Sequence, residues 1–328
     1  MQTLMARGSF PILFISATRI GDAVLSSGLI KRLHDEIPNA RFTIVAGPAA
    51  APLFAAVPNL DRVIVFQKSR SGGHWIELWR QVRKTKWGLV VDLRGSGISR
   101  FLSARRRAVH RKSPQPMHKV IEAARLLRIE DDPPPPHIFT SPEVEALADE
   151  ITAGNGPILA LAPAANWIGK TWPLERFSQL AMRLVRSDGP LKGARLMVLG
   201  GPGDEALARG LRDVAMHRLI DLAGRADLLT SYACLKRARL FIGNDSGTMH
   251  LAAAAGVPTL GLFGPSDERL YAPWGEAARV VRGPREFEEI RAIDPTLSQA
   301  LCHMMDLSVD KVAQAANDLL AATEPPED

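Results

Sequence analysis

Apolar and polar positions change rhythm along this chain at short, regular intervals. PILFISA (residues 11–17) is apolar without strict alternation, the pattern of a strand covered on both faces. AVLSSGLIKRLHDEI (23–37) then spaces its apolar residues as a helix does. RFTIVAG (41–47) and RVIVFQ (62–67) predict two more strands, residues 73–86 a helix, and LVVDLRG (89–95) another strand. A basic helix and a further short strand follow, and HKVIEAARLLRI (118–129) closes this half as an amphipathic helix. Apolar strands separated by helices predict a parallel sheet with helices on both faces.

EDDPPPP (130–136) interrupts the alternation. Four prolines continue neither a helix nor a central strand, so the segment predicts an extended connector, with Glu130, Asp131 and Asp132 solvated rather than gathered on a metal. Ser141 before Pro142 predicts a helix start, a cap followed by proline in the first turn. The alternation resumes with ILALAPA (158–164) and a helix over 173–187 whose Phe177, Leu180, Ala181, Leu184 and Val185 share one face. A strand over 195–201, a helix over 204–215, a short strand over 219–222 and a helix over 228–237 come next. The stretch 237–267 reads as strand, tight turn, short helix, strand, and a tail helix over 308–323 is free to cross back to the first half. The prediction is an α/β chain of two Rossmann-like, doubly wound domains, residues 1–155 and 156–305, with 306–328 as a C-terminal helix and tail. The two domains are expected to face each other across a cleft between the carboxyl ends of their sheets, where such sheets take ligands.

The totals narrow the class. The 328 residues, 46% hydrophobic and 23% charged, suit two globular domains. No apolar run approaches the roughly 20 residues of a membrane-spanning helix. PILFISA follows Arg7 but is short for a leader and is followed by Arg19, so it stays a strand. Cys234 and Cys302 have no metal or redox spacing, which predicts a reducing, cytoplasmic compartment. Net charge is +6 and unevenly placed: residues 1–150 hold 22 Lys and Arg against 14 Asp and Glu, the remainder 19 against 21. Residues 66–119 hold 14 basic residues and two acids, so the first half is built to meet something anionic.

Candidate chemistry gathers in a few loops. In 237–267, the elbow Gly243-Asn244-Asp245-Ser246-Gly247 precedes an alanine-rich helix, with Asp245 or Ser246 placed to cap it and Gly247 leaving the first backbone N–H groups open. Such a start attracts anions, although an ordinary capped turn has the same pattern. In TRIGDAVL, Asp22 stands just past the first strand as either the helix N-cap or a general base. Beside it, Gly21 has no side chain to crowd the turn, and Arg19 is either a phosphate contact or surface charge. Lys170, before Trp172 and Pro173, occupies a loop on the expected cleft. LGGPGDE (199–205) offers Asp204 or Glu205 to helix capping, and its spacing is not a dinucleotide fingerprint. His250 alone reads as a structural histidine, and His118 starts a helix. No Walker loop, Gly-x-Ser-x-Gly elbow or paired metal carboxylates are present, so neither cofactor nor metal is expected.

Taken together, TRIGDAVLSSG, the lysine before Trp-Pro and the string GNDSGTMHLAAAAGVPTLGLFGPSD resemble glycosyltransferase family 9, the heptosyltransferase family. The resemblance covers nearly the whole chain and is strongest over 10–38, 158–177 and 219–275. It implies the GT-B fold and inverting transfer without a bound metal, with Asp22 as the base that activates the acceptor hydroxyl. It places Lys170, Asp245, Ser246, Gly247 and His250 beside the donor's diphosphate and sugar, and LAGR (222–225) and GLFGPSD near the nucleotide. It also implies Asp204 or Glu205 as a partner for ribose hydroxyls, Gly21 as room for the acceptor and His118 on the acceptor side. The family's hydroxyl residues before the lysine are replaced by Ala165 and Asn166; Asn166 still offers a hydrogen bond to the donor. The implied donor is ADP-heptose and the implied acceptor the inner core of lipopolysaccharide or a related anionic glycolipid.

Two rivals stand beside this reading. A nucleotide-sugar epimerase of the same fold needs acid–base groups on both faces of the sugar, and a non-catalytic sugar-nucleotide or lipopolysaccharide-binding protein needs none. The densest basic stretch, 100–112, with Arg105, Arg106 and Arg107 in a row, is expected to land on the acceptor and on the inner face of the cytoplasmic membrane. Nucleic acid is not expected as a partner, since Phe101 is the one aromatic there for base stacking.

Overall fold

Apolar runs too hydrophobic to leave one face in water become the centres of two parallel sheets in the computed structural model, which describes residues 8–67, 73–113, 115–215, 218–297 and 301–323. Arg7, and Lys68 and Arg70 of the basic stretch 66–119, lie outside these residues. The chain divides into two units, Met1–Ser141 and Pro142–Asp328.

The first unit runs β1 (Phe10–Ile15), α1 (Ile20–Leu25), α2 (Gly28–Glu36), β2 (Ala40–Ala46), β3 (Leu60–Val65), α3 (Gly73–Val82), β4 (Trp87–Asp92), β5 (Ala104–Val109) and α4 (Lys119–Ala124). Its sheet has the order β3-β2-β1-β4-β5, all parallel. The order reverses between β1 and β4, which pair Ile15 with Asp92 at their carboxyl ends. That reversal opens a crevice there.

The spacing over 23–37 predicts one helix, but the structure breaks it at Ser26 and Ser27. Ser26 Oγ donates to the carbonyls of Asp22 (2.9 Å) and Ala23 (3.2 Å), and Ser27 Oγ to that of Val24 (2.6 Å). Ser27 Oγ also accepts the N–H of His137 at 2.9 Å. The proline segment is therefore docked and not a free linker. A Cβ on Gly28 would sit 2.3 Å from the carbonyl oxygen of Pro135, so only glycine admits this approach. Arg32 pairs with Asp132 at 2.9 Å, an exposed contact that adds little.

The second unit runs α5 (Pro142–Ile151), β6 (Ile158–Ala162), α6 (Leu174–Val185), β7 (Arg195–Val198), α7 (Glu205–Gly210), α8 (Arg212–Ala215), β8 (Leu219–Asp221) and α9 (Leu228–Leu235). It continues through β9 (Leu240–Asn244), α10 (Gly247–Ala254), β10 (Thr259–Phe263), α11 (Glu268–Tyr271), β11 (Ala278–Arg282), α12 (Phe287–Ile293) and α13 (Val309–Ala322). The sheet order is β11-β10-β9-β6-β7-β8, again all parallel, and it reverses between β6 and β9. Every residue of β6, β9 and β10 is buried.

The boundary expected at 155/156 falls at 141/142 because α5 packs on α9 and so belongs to the second unit. Arg237 fixes it there, reaching Glu145 (2.8 Å) and Asp149 (2.6 Å). The tail helix α13, expected as free to cross back, instead buries Val312, Ala316 and Leu319 in the second unit's core beside Leu180 and Leu184 of α6. No helix among the described residues is long and apolar enough to cross a membrane.

Candidate functional site

In the second unit the loops after β6 and β9 flank the reversal of strand order. Asn244, fully buried at the end of β9, holds both ends of the loop after β6. Its amide donates to the carbonyl of Pro163 at 2.6 Å and accepts the N–H of Trp172 at 3.1 Å. A buried amide satisfied on both sides fixes its neighbours, because breaking either bond strands a polar group. Between those ends, Lys170 Nζ lies 2.5 Å from Asp245 Oδ2, with side-chain exposures of 22% and 7%. Ser246, in extended conformation, is the N-cap of α10; its Oγ accepts from the N–H of Met249 at 3.5 Å. Capping thus falls to Ser246, and Asp245 is committed to the lysine.

α10 lies close on the sheet because small residues allow it: a Cβ on Gly261 of β10 would meet Met249 Sδ at 2.5 Å. His250 is buried (3%) one turn into the helix. Gly247 is half-buried at the helix start, while Asn166 is exposed on the loop after β6. Further support comes from a segment the sequence left unassigned. His303 N donates to Gly169 O (3.1 Å), Cys302 Sγ to Thr171 O (3.2 Å) and the buried Trp172 Nε1 to Leu307 O (2.9 Å).

The loop after β10 is held from the edge strand. Arg282, 7% exposed at the end of β11, donates to the carbonyls of Gly264 and Ser266, the latter at 2.7 Å, and pairs with Glu268. Ser266 is itself buried, and its Oγ has no hydrogen-bond partner among the described residues. Asp204 and Glu205 are engaged by their own loop. Asp204 Oδ2 accepts from Gly201 N at 2.8 Å, and Glu205 Oε1 from Gly203 N at 3.1 Å. Backbone N–H groups, its own first and then that of Gly203, hold the Glu205 carboxyl below its ordinary range.

In the first unit the chain leaves β1 through Ser16, which is buried with its Oγ unpartnered among the described residues. α1 begins at Ile20, with exposed Arg19 as an N-cap whose side chain makes no capping bond. Gly21 and Asp22 are the second and third helical residues, both half-buried. Asp22 is therefore not the N-cap that its position before Ala23 predicts; the turn starts earlier. Across the reversal, Asp92 is fully buried at the end of β4. Its carboxylate accepts from Arg94 N (3.0 Å) and Ser96 Oγ (2.6 Å). The Arg94 guanidinium lies 4.5 Å from the Phe66 ring centroid and 5.1 Å from that of Trp75. Burial makes it a weaker base than usual, opposed by Asp92.

α4 packs against α1. His118 is its N-cap, and Nδ1 accepts the N–H of Val120 at 3.3 Å. Glu122 of the same helix takes Lys119 Nζ at 2.5 Å and His110 Nε2 at 3.1 Å. Burial disfavours this carboxylate, but the bonds from Lys119 and His110 outweigh it and hold the carboxyl below its ordinary range. A depressed carboxyl stabilises the fold above its unfolded value, about 4.3, and that contribution disappears as pH falls through the folded one. Glu122→Gln is thus expected to lower the melting temperature at neutral pH, with the gap from the parent closing at pH values well below 4; a gap constant with pH would refute the linkage.

Arg105, Arg106 and Arg107 are placed differently from the expected landing surface. They lie on β5, an exposed edge strand, where successive side chains alternate between faces. Arg107 is committed to the backbone: it donates to the carbonyls of Ser99 (2.9 Å), Ala104 (3.2 Å) and Leu102. Arg105 and Arg106 line a pocket with Ser9, Phe10 and Gly88 at the amino ends of β1 and β4, opposite the carboxyl end that leads to Asp22. Charge on an edge strand also deters edge-to-edge pairing. Among the described residues, no group of three His, Cys, Asp or Glu is arranged to hold a metal ion.

The sequence model of glycosyltransferase family 9 (heptosyltransferase) matches residues 78–295. Lipooligosaccharide heptosyltransferase 2 of Haemophilus ducreyi is 25% identical, over 94% of this chain and 99% of its own. Among solved structures, the E. coli ADP-heptose lipopolysaccharide heptosyltransferase II superposes with a TM-score of 0.74 at 20% identity, covering 96% of this chain and 100% of that one. A family 9 glycosyltransferase from Veillonella parvula superposes with a TM-score of 0.76 at 21% identity, covering 96% and 98%. The likeness establishes the fold as GT-B, two Rossmann-like units.

Proposed function

The chain belongs to glycosyltransferase family 9 and is a glycosyltransferase, and from that premise we propose that it moves a heptose from ADP-heptose to the lipopolysaccharide inner core or a related glycolipid. The relative from E. coli named above is an ADP-heptose lipopolysaccharide heptosyltransferase, which supports this donor and acceptor. The observation that carries the reading is the Lys170–Asp245 pair set against the start of α10 at the strand-order reversal. An ammonium has three N–H donors, and Asp245 takes one of them. The remaining donors, with the free backbone N–H groups of the helix start, suit a nucleoside diphosphate.

Asp22 accepts the proton of the acceptor hydroxyl as its oxygen bonds to the anomeric carbon. The bond from that carbon to the phosphate oxygen breaks on the opposite side, so configuration inverts. Negative charge develops on the departing ADP, where Lys170 and α10 stabilise it; preorganised donors of this kind lower the barrier without reorganising. Ser246, Gly247 and His250 line the donor side of this arrangement, with Asn166 on the adjoining loop. Asp204 and Glu205 shape the loop near the nucleoside, and Arg19, Gly21 and His118 flank the acceptor end of the first sheet.

The test is ADP release by the purified protein. Release is expected with ADP-heptose only when the acceptor is added, and to persist in EDTA, because the positive charge at the leaving group comes from the chain itself. Isomerised donor without acceptor would favour an epimerase, and retention of donor with no release a binding protein.

A further inference from the structure

The first unit exposes large apolar side chains where its own fold has no use for them. Ile76 on α3 is 57% exposed, and Phe101, at the tip of the 3-10 turn before β5, is 77% exposed. Between them runs a groove of about 660 Å³ lined by Trp75, Ile76, Trp79, Ile98 and Phe101. The two tryptophans are partly buried, pack against the first unit's core and line the groove. The 3-10 turn is held firmly: Ser96 Oγ is bonded to Asp92 (2.6 Å), Ser99 Oγ to the carbonyl of Ser96 (2.9 Å), and Trp79 Nε1 to the carbonyl of Phe101 (3.4 Å). Phe101 is therefore presented by a braced turn, which lowers the entropy lost when it is buried against a partner.

The surroundings are predominantly basic, with Glu77 beside Ile76 as an exposed acid. Arg83 lies over the Trp79 ring at 4.6 Å; Arg80 stands one turn after Ile76, and Arg100 precedes Phe101. Lys84 and Lys86 follow, both exposed. Between residues 73 and 113 there are eleven Lys and Arg against two acids, and one of these, Asp92, is buried. Exposed lysines around an aromatic patch disfavour a protein partner, whose contact surfaces are depleted in lysine, and suit lipid headgroups. Tryptophan with one apolar and one polar edge is at home where acyl chains meet headgroups.

We propose that this face of α3 and the 3-10 turn docks the protein on an anionic bilayer, with Ile76 and Phe101 entering the acyl region and Arg80, Arg83 and Arg100 meeting phosphates. The inference rests on the reading of a lipid-linked acceptor and moves its landing surface from Arg105–Arg107 to α3. Continuity supports it: Trp75 lines the groove and also carries Arg94, which follows β4 at the strand-order reversal. The bilayer surface and the acceptor end of the first sheet therefore share a side chain.

Two variants test it: Ile76→Ser with Phe101→Ser, and Arg80→Ser with Arg83→Ser and Arg100→Ser. The parent is expected to sediment with phosphatidylglycerol vesicles, with binding weakened by salt, and to bind phosphatidylcholine poorly. Each variant is expected to lose about tenfold or more in partition onto phosphatidylglycerol. All five side chains are exposed, so melting temperature and ADP affinity should stay parental. Parental vesicle binding by either variant, or no binding by the parent, overturns the proposal. So does a self-associating parent whose dimer, and not whose vesicle binding, is lost in the apolar variant. A deacylated, water-soluble acceptor separates the two readings: transfer to it with no vesicle binding refutes the docking surface alone, and vesicle binding with no transfer to any acceptor refutes the proposed reaction alone.

Discussion

Asp22→Asn is expected to bind ADP as the parent does and to lose turnover by a factor of about 10² to 10⁴, the usual contribution of a positioned general base. The substitution leaves the helix start in place. Asp22 is the third residue of α1 and not its cap, so the helix start does not depend on its carboxylate. Ser26 bonds to its main-chain carbonyl, which asparagine keeps. The substitution also removes a negative charge from the first turn, where such a charge contributes about 0.3 to 1 kcal/mol. A base and a helix-charge residue therefore predict opposite results. The base reading expects a near-parental melting temperature, parental ADP titration and collapsed kcat; the helix-charge reading expects a small drop in melting temperature and normal kcat. Turnover near the parental level would remove Asp22 from the chemistry.

The sheets were legible in the sequence because a buried parallel strand has to be an apolar run, and β1, β2, β4, β6, β9 and β10 each show one. What escaped depends on partners distant along the chain. The helix predicted over 23–37 breaks where Ser26 and Ser27 turn back on the backbone and where Gly28 receives the proline segment, a hundred residues on. β11 escaped for a different reason: three of its five residues are only partly buried or exposed, so its pattern is weak. In the site, Lys170 and Asp245 were each visible as candidates, mostly through family resemblance, but their pairing across 75 residues was not. The structural roles of Asn244 and Asp92 were missed although they share a readable signal: each is a polar or charged residue closing a buried strand. Arg282 was missed together with β11. In the sequence the run Arg105–Arg107 looks like a single patch of adjacent cations. On a strand they alternate, and Arg107 is consumed by carbonyls that shape the turn below it.

Lys170→Ala is expected to weaken ADP binding about 10- to 150-fold, the range set by roughly 1.5 to 3 kcal/mol for a charged contact to phosphate. Two effects combine in that loss. The ammonium no longer meets the diphosphate, and Asp245, 7% exposed, becomes an uncompensated carboxylate beside the anion's seat. Breaking a fully buried pair costs about 3 to 5 kcal/mol of stability; here Lys170 is 22% exposed, so the lower end or less is expected, visible as a reduced melting temperature. Lys170→Ala combined with Asp245→Asn separates these contributions. If the lysine contacts phosphate, removing the carboxylate should recover stability and relieve repulsion but leave ADP binding at least tenfold below the parent. If the lysine only neutralises Asp245, the double variant should bind ADP like the parent. Titration calorimetry with ADP on the parent, both single variants and the double variant decides between them. Parental affinity in the double variant would place Lys170 outside the phosphate site and leave the start of α10 to hold the anion without it.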